Sequence, residues 1–167
     1  MLNYHSVSED EINYNGLSVR EISPVMKLNL RGKKREFFTS VGKNLNMILP
    51  TEANTSSVSD KLTSIWLSPD EWMIVSNETV QKDNNRYELE DSLHNNISKT
   101  NLGAVTDVTD QFVLLELKGE NIFELFSSGS PFNFNEFKEK KGSTTQTLLN
   151  NMDVIIHHKD KNLVNLF

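Results

Sequence analysis

The sequence contains no cysteine, few glycines and no long apolar run, and each absence excludes a class of function. Without cysteine the chain has no disulfide, thiolate zinc site, iron–sulfur cluster or thiol nucleophile. Its seven glycines stand at least ten residues apart, so neither the Rossmann G-x-G-x-x-G loop nor the Walker loop is present. The chain therefore does not bind a dinucleotide or a nucleoside triphosphate through either loop.

The length and net charge of the chain exclude further classes of function. The chain has 167 residues, which suits one compact domain, and its net charge of −6 argues against binding to nucleic acid or to an anionic membrane. No stretch approaches the roughly 18 consecutive apolar residues of a membrane span. The N-terminal segment does not combine basic residues with an apolar run, as a secretory signal does. We therefore expect a cytoplasmic protein.

Hydrophobic periodicity predicts an α+β fold, in which two or three helices pack on a mostly antiparallel sheet. Residues 1–16 are polar and lack a period, which predicts a flexible leader followed by a single domain over residues 17–167. Beyond a hairpin at 64–75, the pattern predicts strands at 25–30, 105–117, 143–149, 152–158 and 163–167, helices at 33–43, 86–98 and 120–127, and a polar loop at 51–61. Alternation places Met26, Leu28 and Leu30 on one face of the first strand, and Phe37, Val41 and Leu45 recur at helical spacing. Asn150-Asn151 predicts a tight hairpin turn between 143–149 and 152–158.

The hairpin at 64–75 is the most informative segment. Two apolar runs flank Ser68-Pro69-Asp70-Glu71, where the proline favours a type I turn. Direct pairing across this turn makes both faces of the hairpin apolar. One face then carries Ile65, Leu67, Trp72 and Ile74, and the other carries Trp66, Met73 and Val75. A sheet with one side in water would alternate instead, so something must cover each face.

A basic cluster stands out in this acidic chain. It consists of Arg31, Lys33, Lys34 and Arg35 at the start of a predicted helix. One interpretation is a solvated helix entrance, and the other is a contact for an acidic partner or a polyanionic ligand. Cations at a helix N-terminus oppose the helix dipole, which adds some weight to the second interpretation without excluding the first.

The sequence offers no convincing catalytic or metal site. His157 and His158 are neighbours on a predicted strand and point to opposite faces, so they cannot chelate one metal ion. Residues 127–130 lack the G-x-S-x-G pattern of a nucleophile elbow. Asp107 and Asp110 could do acid–base work, but at a strand start such residues more often form turn hydrogen bonds. We therefore predict no catalytic, cofactor-binding or metal-binding residue.

Four motifs in order along the chain carry a resemblance. Residues 66–72 read W-L-S-P-D-E-W, and D-V-T-D-Q (107–111), L-E-L-K-G-E (115–120) and G-S-T-T-Q-T (142–147) follow. Together they resemble the gamma subunit of heterotetrameric bacterial sarcosine oxidase, whose first motif has a glycine where this chain has Ser68. The resemblance runs from about Leu28 to the end of the chain.

The resemblance implies a structural subunit without an active site of its own. Complexes of this kind oxidise sarcosine to glycine, release hydrogen peroxide and pass the one-carbon unit to tetrahydrofolate. The implied fold is that of the T-protein, an aminomethyltransferase, and FAD, FMN, NAD, zinc and tetrahydrofolate belong to partner subunits. Alpha, beta and delta subunits, chiefly alpha, are the expected partners. The expected interface residues are Trp66, Pro69, Asp70, Glu71, Trp72, Arg31, Lys33, Lys34 and Arg35.

Two other functions stay open at this point. A free-standing folate-binding or aminomethyl-transferring domain would need an acid to hold the pterin or to act on the aminomethyl nitrogen, and Asp107 and Asp110 are the candidates. The third possibility is an unrelated interaction domain.

Overall fold

The computed structural model describes residues 11–22, 24–83 and 85–167, and within these residues it has two antiparallel sheets and three α-helices. The strands are β1 Ile12–Tyr14, β2 Leu17–Glu21, β3 Lys27–Gly32, β4 Ser56–Val58, β5 Leu62–Ser68, β6 Glu71–Ser76, β7 Gly103–Asp107, β8 Leu115–Gly119, β9 Thr144–Leu149, β10 Met152–Asp160 and β11 Leu163–Leu166. The helices are α1 Arg35–Leu45, α2 Glu88–Leu93, which continues into a π-helical segment His94–Ser98, and α3 Ile122–Gly129. The predicted α+β class is confirmed. None of the described helices combines the length and the apolar character needed to cross a bilayer.

Contacts within the chain divide it into two compact units. The middle unit is Pro24–Phe112, and the terminal unit joins β1 and β2 to Val113–Phe167. The single domain predicted over residues 17–167 spans parts of both units and stays a prediction. Strand β1 falls inside the expected leader and pairs with β2, Ile12 lying opposite Val19. Residues 1–10 of that leader lie outside the described residues.

The middle unit is a five-stranded sheet with α1 and α2 packed on one face. The strand order is β4-β5-β6-β3-β7. Alternation in β3 places Leu28 and Leu30 in the core together with Met26, as the sequence predicts. Strand β4 pairs with β5 inside the segment predicted to be a polar loop, and this part of the prediction is wrong. Strand β4 has only three residues, two of them serines, and it forms because β5 supplies its hydrogen-bonding partners.

The terminal unit is a six-stranded sheet with α3 packed against it. Its strand order is β1-β2-β8-β11-β10-β9, so the apolar C-terminal strand β11 is covered on both edges by strands of this chain. The predicted hairpin of β9 and β10 is present, and Asn150 and Asn151 form its turn with φ of 49° and 67°. Its core is rich in aromatic side chains, namely Phe126, Phe134 and Phe137 with Phe123 and Phe132 packed against them.

The single strand predicted over residues 105–117 is wrong. Strands β7 and β8 belong to different sheets and are separated by a 3-10 turn, Thr109–Gln111. The Asp107 Oδ1 atom accepts the backbone N–H of Thr109 at 2.9 Å, which starts this turn. The aspartate thereby draws the backbone out of the extended ladder, and the strand ends there.

Candidate functional site

The hairpin of β5 and β6 contains a β-bulge that sets the positions of its two tryptophans. Ser68 pairs with Glu71 across the turn, but the next pair is Trp66 with Trp72, so Leu67 is an extra residue on β5. Trp66 and Trp72 therefore lie on the same face of the sheet. Direct pairing predicts that Trp66 and Trp72 lie on opposite faces. The extra residue on β5 makes this prediction wrong.

Trp72 lies in the core of the middle unit. Its side chain is 1% exposed, its indole Nε1 donates a hydrogen bond to the Pro50 carbonyl at 2.8 Å, and the rings of Phe37 and Phe38 pack against it. Trp66 packs against the same core and is half-buried. The structure thus differs from the expected interface at Trp72, which presents no surface to a partner.

The opposite face of the hairpin is buried within the chain as well. Ile65 is fully buried and Met73 is 1% exposed. Both apolar faces of the hairpin are therefore buried, as the sequence indicates.

Four expected interface residues pair with one another at the turn of the hairpin. Lys33 Nζ lies 3.3 Å from Asp70 Oδ2, and Arg31 lies 3.4 Å from Glu71 Oε2. The hydrogen bond from Ser68, together with the charge of Lys33, holds the pKa of Asp70 below its usual value. Two of the four basic residues, Arg31 and Lys33, therefore form ion pairs that link the end of β3 to the turn of the hairpin.

Of the other two residues of the basic cluster, Arg35 lines a groove along α1. Lys34 is the residue before the helix, Arg35 begins it, and both are exposed. Pro69, at the turn, is also exposed. The groove encloses about 720 Å³, and we call it the α1 groove. It is lined by Arg35, Glu36, Thr39, Ser40, Lys43, Asn44 and Asn96.

A polar network holds the floor of the α1 groove. Asn44 Oδ1 accepts hydrogen bonds from Ser92 Oγ at 2.7 Å and from Asn96 Nδ2 at 3.1 Å, which ties α1 to α2 and its π-helical continuation. Ser40 Oγ donates to the Asn96 carbonyl at 3.3 Å. Sequence reasoning missed these residues, although Ser40 and Asn44 stand four apart on the polar side of α1 and could have signalled a shared surface.

Asp107, a candidate for folate binding, is engaged within the chain through both carboxylate oxygens. Oδ1 accepts the Thr109 N–H, and Oδ2 accepts Lys82 Nζ at 2.6 Å. Burial alone would raise the pKa of Asp107, but these hydrogen bonds outweigh burial and lower it. The carboxylate is therefore ionised and acts as a local brace. The other candidate, Asp110, is exposed in the 3-10 turn.

Lys27 is a buried lysine that sequence reasoning missed. It is 1% exposed, and its Nζ donates to the carbonyls of Thr109 at 3.2 Å and Val25 at 3.4 Å. Its backbone N–H donates to Thr109 Oγ1 at 3.0 Å. Burial lowers the pKa of Lys27, and the nearby carboxylates of Asp107 and Asp110 oppose that shift. The second motif, 107–111, thus serves to join the end of β7 to β3.

Neither neighbouring histidine belongs to a metal site among the residues described. His158 Nδ1 lies 3.2 Å from the Phe137 carbonyl and 3.1 Å from that of Lys140, so this nitrogen carries the proton. Burial, with the positive charges of Lys159 and His158, lowers the pKa of His157 to about 4. No cluster of three potential metal ligands occurs within residues 11–22, 24–83 and 85–167.

Comparison with known proteins identifies the family of the chain and finds similarity to solved structures. The chain matches the sarcosine oxidase gamma subunit family over residues 32–167. It is similar to a chain in the structure of heterotetrameric sarcosine oxidase from Corynebacterium sp. U-96 in complex with pyrrole 2-carboxylate. The two chains share 17% identity at a TM-score of 0.77, over 90% of this chain and 74% of the other, a likeness that establishes the fold.

No curated protein sequence matches the chain. The family match nevertheless covers most of the chain and includes all four motifs in which the sequence resembles gamma subunits. The chain therefore belongs to the sarcosine oxidase gamma subunit family.

Proposed function

We propose that this chain is the gamma subunit of a heterotetrameric sarcosine oxidase and that its role there is structural. The observation that carries this proposal is the family match over residues 32–167. The related structure, which comes from a heterotetrameric sarcosine oxidase, supports the same assignment through its fold.

A structural role is supported by what the motif residues do in this chain. Trp72 fills the core, Asp107 braces the end of β7, and Glu71 accepts a hydrogen bond from Asn29 at 2.8 Å. These side chains stabilise the fold through contacts inside the middle unit. These residues of the first two motifs are therefore explained without assigning a reaction to this chain.

The chemistry then belongs to the other subunits. We propose that FAD, FMN, NAD, zinc and tetrahydrofolate are bound by alpha, beta and delta subunits, with alpha the chief contact of this chain. The complex would oxidise sarcosine to glycine, pass the one-carbon unit to tetrahydrofolate and release hydrogen peroxide, in the cytoplasm, where reduced folates and nicotinamide cofactors are available.

Co-expression tests the proposal directly. The tagged chain is produced with and without the alpha, beta and delta subunits encoded in the same genome, and the products are separated by size-exclusion chromatography. We expect the chain to elute with the flavoprotein subunits in a complex that produces peroxide from sarcosine. A chain that stays apart from those subunits, in a preparation where they assemble with one another, would overturn the proposal.

A second measurement addresses folate binding by the isolated chain. Both oxygens of Asp107 already accept hydrogen bonds within the chain, from Thr109 and Lys82, so a pterin would have to share or displace these donors. Titration with tetrahydrofolate should leave the tryptophan fluorescence of the isolated chain unchanged up to millimolar ligand. Saturable quenching would instead favour a folate-binding domain.

A further inference from the structure

The α1 groove carries positive charge that the chain itself does not neutralise. Arg35 and Lys43 are both exposed, and neither forms an ion pair with any residue that the structure describes. Arg31 and Lys33, by contrast, are paired with acids of the hairpin. Arg35 and Lys43 are therefore two unpaired cations that line one groove of a protein whose net charge is −6.

The position of Arg35 does not help the helix. It lies in the first turn of α1, where a positive charge opposes the helix dipole. Lys43 lies in the last turn, where the dipole favours it, so its presence has a local explanation. The helix dipole does not explain the position of Arg35, which points to a partner outside the chain.

The spacing of the two cations defines the length of the site. Arg35, Thr39 and Lys43 are four residues apart in turn and lie on one side of α1. At 1.5 Å per residue, the two cations are roughly 12 Å apart along the helix. A compact anion can contact only one of these cations. An extended polypeptide places the side chains of residues i and i+4 on one face about 13 Å apart, so it can contact both.

The floor between the cations suits a polar occupant. Ser40, Asn44 and Asn96 are held by hydrogen bonds to one another and to Ser92, so the floor is fixed in shape. No apolar side chain lines the groove, and Glu36 is its single acid. The lining is therefore complementary to an acidic chain segment.

We propose that the α1 groove docks an acidic, extended segment of a partner subunit, with two carboxylates four residues apart that pair with Arg35 and Lys43. This inference rests on the proposed function, because the partner is another subunit of the same complex. It assigns the contact to α1 and its groove, away from the buried Trp72.

Charge reversal in the full complex tests the inference. The double variant Arg35→Glu, Lys43→Glu is compared with Lys138→Glu, Lys161→Glu, which makes the same change in net charge on the terminal unit. Affinity for the tagged alpha, beta and delta assembly is measured by biolayer interferometry at 50 and 300 mM NaCl. We expect the α1 double variant to bind at least tenfold more weakly at 50 mM NaCl and to lose most of the salt dependence, whereas the control binds like the wild type.

The outcomes separate this inference from the proposed function. Equal binding by the wild type and the α1 double variant would overturn the inference and leave the proposed function intact. Equal weakening in the control would also overturn it, since the effect would then be one of net charge. A wild-type chain that binds no subunit would overturn the proposed function, and the inference with it.

Crosslinking of the wild-type complex avoids any dependence on how a variant folds. A carbodiimide joins an amine directly to a carboxylate in contact with it. Mass spectrometry should identify a link between Lys43 and an aspartate or glutamate of a partner subunit. Links confined to other lysines of this chain would contradict the proposed groove contact.

Discussion

Trp66 and Trp72 are direct cross-strand partners on one face of the sheet, yet only Trp72 is fully buried. The bulge at Leu67 creates this pairing, because it turns the side chains of β5 beyond it to the other face. The two indoles therefore report on different environments of the same hairpin. They are the two tryptophans of the chain, so each can be studied after the other is removed.

The first prediction concerns these two tryptophans. In Trp66→Phe the remaining indole is Trp72, and acrylamide should quench its fluorescence several-fold less than that of Trp66 in Trp72→Phe. Trp72→Phe should also lower the free energy of unfolding by about 2–3 kcal/mol, since it leaves the Pro50 carbonyl without its donor and opens a small cavity. Trp66→Phe should cost less than about 1 kcal/mol, and equal costs in urea denaturation would contradict this assignment.

The second prediction concerns two paired glycines that make room for Phe37. Gly32 and Gly103 are cross-strand partners on β3 and β7, and a Cβ on Gly103 would overlap the Arg31 carbonyl oxygen and lie 2.9 Å from the Phe37 ring. Because backbone blocks this methyl group, Gly103→Ala should destabilise the middle unit by about 2 kcal/mol or more.

Gly42 provides the matched control. It lies inside α1, where a Cβ would approach nothing closer than the Met47 carbonyl oxygen at 3.5 Å. Gly42→Ala should therefore raise the free energy of unfolding by about 0.5–1 kcal/mol through helix propensity. Thermal unfolding of the two variants should shift in opposite directions, and a shift in the same direction would show that the close packing around Gly103 is not as described.

The sequence correctly predicts features that depend only on residues close together in the chain. The alternation around Leu28 and Leu30, the apolar stripe of Phe37, Val41 and Leu45, and the Asn150-Asn151 turn each predict what the structure contains. The family could likewise be predicted from the motif at 66–72, since its residues occur together in order.

Other features depend on residues far apart in the chain and could not be predicted. The assignment of β7 and β8 to different sheets depends on their strand partners, and Thr109, at the break between them, contacts Lys27, which stands 82 residues earlier. The bulge at Leu67 is invisible to an alternation pattern, because apolar residues occupy both faces in either register. For the same reason, an apolar hairpin face looks identical in sequence whether this chain or a partner covers it.

The third prediction concerns the brace at Asp107. Asp107→Ala removes the hydrogen bond to the Thr109 N–H and the ion pair with Lys82, and it should lower the free energy of unfolding by about 1–2 kcal/mol. The exposed Asp110→Ala is the control and should change stability by less than about 0.5 kcal/mol. Urea denaturation at pH 7 measures both, and similar values would mean that the Asp107 contacts add little.

The same carboxylate gives a pH dependence with a defined sign. The folded chain lowers the pKa of Asp107, so its stabilising effect is present above the pKa of the unfolded chain and is lost as pH falls through the folded value. The stability difference between the wild type and Asp107→Ala should therefore shrink in strong acid, below about pH 4. A difference that grows on acidification would contradict an ionised, hydrogen-bonded Asp107.

The fourth prediction concerns His157, whose pKa is lowered to about 4 by burial and by the charges of Lys159 and His158. Between pH 6.5 and 4 the unfolded chain binds a proton that the folded chain does not bind, so His157 reduces stability as the pH falls. The full effect of such a shift is on the order of 3 kcal/mol.

His157→Gln removes this titration while keeping a polar side chain of similar length. Its cost at pH 7.5, measured by urea denaturation, gives the structural effect of the change alone. At pH 4.5 that cost should be smaller by about 2 kcal/mol or should become a gain, because only the wild type then loses stability through His157. A cost that is the same at both pH values would mean that His157 takes up a proton equally well in the folded and unfolded chains.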